Sequence, residues 1–196
     1  MDCTSPATWK GRGDTMTSMK IQKPATVADL LRTPKDGRVY ELVDGEILVS
    51  PAGMRHSEVA AKILTVVATF LEKHPIGKVY TENVGISLPN GNVRCPDVTF
   101  VRNEKLPDGK SPEGFGELVP DFVVEVLSPN DSLKEVGRKI GEFLECGVPL
   151  VWLVDPKHET VTAYRSLSDT QHYSAGETIT AEPVLPGFSC NVSRFF

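Results

Sequence analysis

An apolar strand, an amphipathic helix and a second apolar strand follow one another in the C-terminal half of the sequence. The pattern predicts strands at Asp121–Leu127 and Leu150–Val154, with the helix between them at Ser132–Cys146. The helix begins with a Ser-x-x-Glu capping box, and Gly147 fits the position that directly follows a helix end. Two strands joined through a helix run parallel in one sheet, because the helix carries the chain back to the starting edge. The sequence therefore predicts an α/β fold with a parallel pair inside a mixed sheet.

The other predicted elements are shorter and surround this unit. The dipeptides Asp44-Gly45 and Asn90-Gly91 favour tight hairpin turns, and Thr26 is a typical helix cap. The predicted elements are a helix at Thr26–Leu31, a hairpin at Arg38–Ser50, a helix at Ser57–Lys73, strands at Lys78–Glu82, Val84–Leu88 and Val93–Val101, a polar loop at Asn103–Leu118, and short strands from Thr160 to Phe196. We expect a central mixed β-sheet flanked by helices, in the α+β manner, with an N-terminal hairpin and extra C-terminal strands.

The length and the hydropathy pattern indicate one domain. The chain has 196 residues, which is enough to bury most of the apolar surface of a single domain. Residues 1–22 are predicted to form a disordered leader, because they are polar and lack the apolar core of a signal peptide, and residues 23–196 are predicted to form the domain. No apolar run approaches the roughly 20 residues of a membrane span. We therefore expect a cytoplasmic protein with no membrane partner.

The cysteines and the net charge exclude some classes of site. Cys3, Cys95, Cys146 and Cys190 are widely spaced and form no Cys-x-x-Cys pair, which favours reduced thiols over a zinc site or disulfides. The formal net charge of −5 argues against a protein that coats nucleic acid through an excess of Lys and Arg. It does not exclude a nuclease, because acidic metal ligands contribute to this count.

Two carboxylates lie within apolar strand sequences. In the strand Asp121–Leu127, alternation places Glu125 on one face with Val123, where an unpaired buried carboxylate costs several kcal/mol. In Val93–Val101, Asp97 follows Pro96, which indicates an edge or a bulge. Carboxylates on neighbouring strands are able to share one Mg²⁺ ion, which prefers oxygen ligands. The alternative is that each caps a turn or pairs with an arginine, since structural ion pairs are common.

Helical phase distinguishes one lysine from the other charged residues of the C-terminal helix. An apolar stripe is formed by Leu133, Val136, Ile140, Phe143 and Leu144, and the opposite face carries Lys134, Arg138, Glu142 and Glu145. Lys139 lies at the edge of the stripe, roughly 90° from its centre. From there its ammonium is able to reach the ends of the neighbouring strands. The alternative is that it only extends along the core to reach water.

An ordered set of short motifs carries a family resemblance. They run from about Thr26 to the C-terminus and are Tyr40-Glu-Leu-Val-Asp-Gly-Glu46, His56, Pro96-Asp-Val98, Pro120-Asp121, Glu125-Val-Leu-Ser-Pro129, Lys139, Gly147-Val148 and Trp152-Leu-Val-Asp-Pro156. In this order they resemble the Uma-type restriction-endonuclease-like proteins of the PD-(D/E)XK nuclease superfamily. The resemblance implies a restriction-endonuclease-like core with a mixed sheet flanked by helices, dependence on Mg²⁺ (for which Mn²⁺ substitutes), DNA as the substrate, and a homodimer.

The resemblance also implies roles for individual residues. Asp97 and Glu125 correspond to the metal ligands, and Glu41 corresponds to an upstream glutamate that serves as a further ligand or as a partner of the ligands. The third motif of the superfamily is Glu-x-Lys, but Leu127 stands where that lysine would be. Lys139 matches the migrated position on the following helix from which these proteins supply the lysine.

His56 matches a family histidine and is a candidate accessory residue. Its alternatives are a cap or a partner of a strand carboxylate, because histidines serve many structural roles. Taken together, these residues predict a Mg²⁺-dependent endonuclease that hydrolyses phosphodiester bonds of DNA. Two other functions stay open: an inactive nuclease fold used for binding or assembly, and a metal-dependent hydrolase of another phosphoester.

Overall fold

The computed structural model describes residues 23–50, 53–129 and 131–196, so the predicted leader at 1–22 lies outside the described residues. Within these ranges the helices are α1 Val27–Leu30, α2 Met54–Lys73 and α3 Leu133–Glu145. The strands are β1 Val39–Val43, β2 Glu46–Ser50, β3 Gly77–Thr81, β4 Ile86–Ser87, β5 Val93–Arg94, β6 Val98–Arg102, β7 Gly116–Glu117, β8 Phe122–Val126, β9 Val151–Asp155, β10 Thr160–Tyr164, β11 Thr170–Ser174, β12 Thr178–Thr180 and β13 Ser189–Asn191. Short 3-10 turns lie at Asn103–Lys105, Pro107–Gly109 and Val192–Phe195.

A mixed six-stranded sheet forms the centre of the fold, in the order β11-β10-β9-β8-β6-β3. Strands β8 and β9 are parallel neighbours joined through α3, and β8 pairs antiparallel with β6 on its other side. This confirms the crossover predicted from the strand–helix–strand pattern. The C-terminal strands β10 and β11 extend the same sheet, while β12 and β13 form a separate two-stranded ribbon.

Helices α2 and α3 cover opposite faces of the central sheet. The buried stripe of α2 packs in one cluster with Phe122, Val124 and Val126 of β8 and with Trp152 of β9. Helix α3 packs in a second cluster that contains Val123 of β8. Successive β8 side chains therefore point to opposite faces, as the alternation predicted, and Glu125 lies on the α3 side.

The N-terminal hairpin belongs to a second sheet of five strands, in the order β2-β1-β5-β4-β7. Its turn residues Asp44 and Gly45 both have positive φ, at 50° and 80°, as the predicted type I′ turn requires. Strand β1 pairs antiparallel with β5, which contains Arg94. Thr26 caps α1 in a capping box with Asp29, which confirms the predicted helix start.

The prediction of one strand over Val93–Val101 was wrong. The chain forms β5 in the five-stranded sheet, breaks at Cys95–Asp97, and continues as β6 in the six-stranded sheet. Pro96 has no N–H to continue a ladder, so the backbone leaves one sheet at this residue and enters the other. The predicted loop at 103–118 also differs, because it contains two 3-10 turns and strand β7.

Three predictions about α3 were wrong in detail. Ser132 is the N-cap residue, but its side chain makes no capping hydrogen bond, so the predicted capping box is absent. Leu133 was assigned to the apolar stripe and is 82% exposed, because the helix has not yet reached the sheet in its first turn. Glu142 was assigned to the water face, yet it pairs with Arg94 of the second sheet. Gly147 has the positive φ of 93° expected after a helix end.

None of the helices in the described part of the chain combines the length and the apolar character needed to cross a membrane.

Candidate active site

A cleft of about 330 Å³ lies between the two sheets and the N-terminal ends of α2 and α3. Five of the residues that line it are the ones that the sequence singled out: Glu41, His56, Asp97, Glu125 and Lys139. They come from β1, α2, the segment before β6, β8 and α3. The fold therefore brings together residues that lie up to 98 positions apart in the sequence, from Glu41 to Lys139.

The ammonium of Lys139 lies between two carboxylates. Its Nζ atom is 2.9 Å from Oε2 of Glu125 and 3.2 Å from Oε1 of Glu41. The side chain extends from the edge of the apolar stripe of α3 toward the C-terminal end of β8, as the helical phase predicted. The interpretation that Lys139 only reaches past the core to water does not fit this geometry, because its ammonium contacts two carboxylates inside the cleft.

Glu41 is buried and uses both of its oxygens. Oε2 accepts a hydrogen bond from Nη1 of Arg94 at 3.0 Å, and Oε1 accepts one from the backbone N–H of Cys95 at 2.8 Å. Lys139 contacts the same Oε1 atom. Strand β1 positions this side chain, because β1 pairs with β5, which carries Arg94. Glu41 is thus held from two sides by cations.

Asp97 closes the other side of the cleft. Its Oδ2 atom accepts a hydrogen bond from the backbone N–H of Val126 at 2.6 Å and lies 3.1 Å from Nε2 of His56. Because Val126 directly follows Glu125, this bond fixes Asp97 next to Glu125. His56 lies in the first turn of α2, and its position matches the predicted alternative of a partner for a strand carboxylate.

Burial and charge shift the ionisation of these groups in different directions. Burial raises the pKa of Glu125 to about 8, although the Lys139 charge acts against it. Burial on its own would lower the pKa of the Lys139 ammonium. The negative charges of Glu125 and Glu41, together with the hydrogen bond to Glu125, outweigh this effect, so the pKa is raised above its usual value. For Glu41, burial raises the pKa of the carboxyl, but the charges of Lys139 and Arg94 and the hydrogen bonds to its oxygens together lower it below its usual value. The cleft therefore holds a charged lysine, an ionised Glu41, and a Glu125 that binds a proton unusually readily.

Cys95 lines the same cleft but is a poor nucleophile. Burial raises the pKa of its thiol to about 12, and the charge of Glu41 adds to this effect. The thiolate is the reactive form of cysteine, so Cys95 stays largely unreactive near neutral pH. Cys95, Cys146 and Cys190, the cysteines within the described ranges, form no disulfide with one another.

The buried Glu125 predicts that the metal-free protein loses stability as the pH rises. The pKa of Glu125 is about 8 in the folded protein and 4.5 ordinarily, so between these values the folded state holds a proton that the unfolded chain has released. Stability falls with pH wherever the folded state binds more protons. The loss therefore begins near pH 4.5 and is complete near pH 8. His56 acts with the same sign: burial lowers the pKa of its ring, but the hydrogen bond to Asp97 and the charges of the nearby carboxylates together raise it above 6.5.

Urea unfolding in EDTA, compared near pH 5 and near pH 8, measures this dependence. Glu125→Gln does not ionise, so it should make the unfolding free energy less dependent on pH. Equal pH dependence in the wild-type protein and in Glu125→Gln would contradict the raised pKa.

The carboxylates fit a cation that keeps several waters. Oε1 of Glu125 is buried and has no hydrogen-bond partner among the described residues, and Asp97 uses only Oδ2 for the contacts given above. The described residues contain no group of three or more His, Cys, Asp or Glu arranged as a metal site. This is compatible with Mg²⁺, which is usually held by one or two carboxylates together with substrate phosphates and water. Glu41 fits direct coordination less well, because both of its oxygens are already bound.

Sequence reasoning missed Arg94 and Glu142. Arg94 lies two residues before Pro96, and its place within the strand predicted over Val93–Val101 was the signal that could have found it. Glu142 lies three residues after Lys139 and therefore on a neighbouring part of the helix surface. Neither signal indicates that the two residues pair with each other, because they are 48 positions apart.

Comparisons with known proteins agree with this fold. The family model Uma2, described as "Putative restriction endonuclease", matches residues 27–193. The fold is similar to the crystal structure of a protein from Anabaena variabilis, described as "a putative nuclease belonging to DUF820", with a TM-score of 0.75 and 21% sequence identity. The alignment covers 88% of this chain and 98% of that protein, which shows that the two share a fold. The search of curated proteins found no match.

Proposed function

Since the chain belongs to the Uma2 family, described as "Putative restriction endonuclease", we propose that it is a Mg²⁺-dependent endonuclease that hydrolyses phosphodiester bonds of DNA. One observation carries the proposal. A lysine ammonium lies 2.9 Å from a buried glutamate, and the backbone N–H that follows this glutamate binds an aspartate at 2.6 Å. Two carboxylates and a lysine at one end of a mixed sheet are the groups that metal-dependent phosphodiester hydrolysis needs.

Asp97 and Glu125 are the proposed metal ligands. Oε1 of Glu125 would hold the ion, because it is buried without another partner in the described part of the chain. Asp97 would add its second oxygen, while the Val126 N–H and His56 hold Oδ2 in place. A bound Mg²⁺ polarises a phosphoryl oxygen and lowers the pKa of a coordinated water. Mn²⁺ takes similar oxygen ligands and would serve in its place.

Lys139 supplies the fixed positive charge of the proposed site. Its ammonium has three hydrogen-bond donors, of which two are directed at Glu125 and Glu41. The third donor is free to orient the attacking water or to stabilise the charge that develops on the phosphate in the transition state. Of the two roles predicted for Glu41, a further ligand or a partner of the ligands, we propose the second, in which it keeps this ammonium in place.

The rest of the proposal concerns the setting in which the enzyme works. The family description supports a nucleic acid as the substrate, and we propose DNA rather than RNA. We propose in addition that the protein is a homodimer and acts in the cytoplasm.

A second function is favoured by the charges around the cleft. The arginine and lysine side chains that line it are Arg94, Arg138 and Lys139, and each pairs with a carboxylate. A site whose cations are already paired attracts phosphate weakly without a metal ion. An inactive nuclease fold that serves binding or assembly is therefore the alternative.

Asp97→Asn is expected to abolish both Mg²⁺ binding and DNA cleavage. The amide oxygen still accepts the Val126 N–H, so the fold persists, but the charge that attracts the cation is lost. Isothermal titration calorimetry measures Mg²⁺ binding, and gel assays with single-stranded, double-stranded and structured DNA measure cleavage with Mg²⁺ or Mn²⁺.

Asp121→Asn is the matched control. Asp121 is also buried and accepts a backbone N–H, from Arg102 at 2.9 Å, but it does not line the cleft. Binding without cleavage in the wild-type protein would favour the alternative function. Cleavage of none of the DNA substrates together with no binding of either ion would contradict both the nuclease and the metal site.

A further inference from the structure

Arg94 joins the cleft to a group of polar side chains outside it. Its side chain is only 4% exposed, and its guanidinium lies between two carboxylates from different elements. Nη1 donates to Oε2 of Glu41 on β1 at 3.0 Å, while Nε donates to Oε2 of Glu142 on α3 at 2.9 Å. Nη2 also donates to Glu142. A buried arginine with two carboxylate partners keeps its orientation, because its planar fork fits both at once.

Glu142 is itself held in place by the turn between β4 and β5. Its Oε1 atom accepts hydrogen bonds from Nδ2 of Asn92 at 2.6 Å and from Nδ2 of Asn90 at 2.9 Å. Asn92 also accepts the backbone N–H of Asp44 in the hairpin turn at 2.8 Å. Glu142 does not line the cleft, and its hydrogen bonds run to Asn90, Asn92 and Arg94 rather than to Asp97 or Glu125. Glu142 therefore holds Arg94 in place and is not one of the residues proposed to act on the substrate.

A chain of polar contacts runs from Arg94 through Glu41 to Lys139. Arg94 holds Oε2 of Glu41, so the other oxygen of the same carboxylate, Oε1, is directed at Nζ of Lys139. Lys139 in turn contacts Glu125. We infer that Arg94 is a positioning residue, which orients Glu41 and through it places the Lys139 ammonium beside Glu125 for the reaction. This inference rests on the proposed function, because it assigns Arg94 to the same site.

The alternative is that Arg94 only joins the hairpin sheet to α3. A structural ion pair of this kind would affect stability without affecting the lysine. Arg94→Lys separates the two readings, because lysine keeps the positive charge but cannot bond both carboxylates with one rigid fork. Any change in the position of the Lys139 ammonium in this variant then comes from the lost orientation of Glu41, because the positive charge at position 94 is kept.

Arg94→Lys is expected to lower kcat for DNA cleavage by about 100-fold, the size of effect that a misplaced catalytic group produces. The KM for DNA should stay unchanged, because Arg94 is buried and its guanidinium is held by Glu41 and Glu142 rather than directed at substrate. Steady-state kinetics with Mg²⁺ measure both constants. A wild-type kcat in the variant would overturn the inference, and so would a raised KM at unchanged kcat, which would mean that Arg94 binds DNA.

Arg102→Lys is the matched control. Arg102 also bonds two acceptors, the carbonyl oxygens of Pro183 and Val184, but it lies at the far end of β6 from Asp97. Its loss should affect stability and leave kcat unchanged. Glu142→Ala should reproduce the kcat of Arg94→Lys, and the double variant should be no slower than the slower single variant, because both changes break the same chain of bonds. Independent, multiplicative losses would overturn the inference.

A measurement without DNA tests the position of the lysine directly. Acetylation of lysines, followed by peptide mass spectrometry, reports the accessibility of Lys139 relative to Lys73 of α2, which is exposed. The Lys139 to Lys73 labelling ratio should rise in Arg94→Lys and stay constant in Arg102→Lys. An unchanged ratio would overturn the inference. If the wild-type protein cleaved no DNA, the proposed function would fail, and the labelling ratio alone would decide whether Arg94 positions Lys139.

Discussion

Replacing Glu125 with alanine is expected to abolish Mg²⁺-dependent DNA cleavage while the protein stays folded. The change removes the buried Oε1 atom that has no partner in the described residues, and with it one of the two proposed metal ligands. Loss of a preorganised electrostatic group typically lowers kcat by about 100- to 1,000-fold, and loss of the ion itself would remove more. The fold should persist because Lys139 keeps its contact with Glu41.

Cleavage assays and Mg²⁺ calorimetry on the same preparation measure this effect. Glu117→Ala, at an exposed glutamate of β7, is the control for the loss of one acidic residue. Circular dichroism and thermal unfolding show whether each variant is folded. A folded Glu125→Ala protein that still binds Mg²⁺ and cleaves DNA at the wild-type rate would remove Glu125 from the site.

Replacing Lys139 with methionine is expected to abolish cleavage but to preserve Mg²⁺ binding. Methionine keeps most of the apolar side chain along α3 and removes the ammonium that contacts Glu125 and Glu41. The metal ligands Asp97 and Glu125 remain, whereas the charge that would stabilise the transition state is lost. We expect kcat to fall by about 100- to 1,000-fold.

Kinetics and calorimetry should be done at several pH values above 8, because the Lys139 charge holds the pKa of Glu125 down and its removal raises that pKa further in the variant. Lys134→Met is the matched control, because Lys134 lies on the exposed face of the same helix and does not line the cleft. Full activity in Lys139→Met would show that the migrated lysine has no catalytic role. Loss of Mg²⁺ binding would show instead that it maintains the ligands.

Local patterns in the sequence predicted the central unit of the fold and the placement of two side chains of the candidate site. Strand alternation placed Glu125 on the α3 face of β8, and helical phase separated Lys139 from Lys134 and Arg138. Both inferences succeeded because the period of a strand or a helix fixes the direction of each side chain.

The errors occurred where distant segments decide the structure. Phase alone placed Glu142 in water, because nothing near it in the sequence indicates that Arg94, 48 positions earlier, is its partner. The break at Pro96 was noted as an edge or a bulge, but a proline does not show that the chain changes sheets there. The capping box failed because the Ser-x-x-Glu pattern permits the bond to the Ser132 side chain without requiring it.

The change of sheets at Cys95–Asp97 has a consequence for the proposed activity. Glu41 and Arg94 belong to the hairpin sheet, whereas Glu125 and Lys139 belong to the central sheet and its helix, so the proposed site is complete only while the two sheets are docked. Hairpin regions can open locally before a domain unfolds as a whole. A copy with the hairpin sheet open would keep Asp97, Glu125 and Lys139 but lose the Glu41 contact of the ammonium, so the proposed activity would depend on the docking of the two sheets.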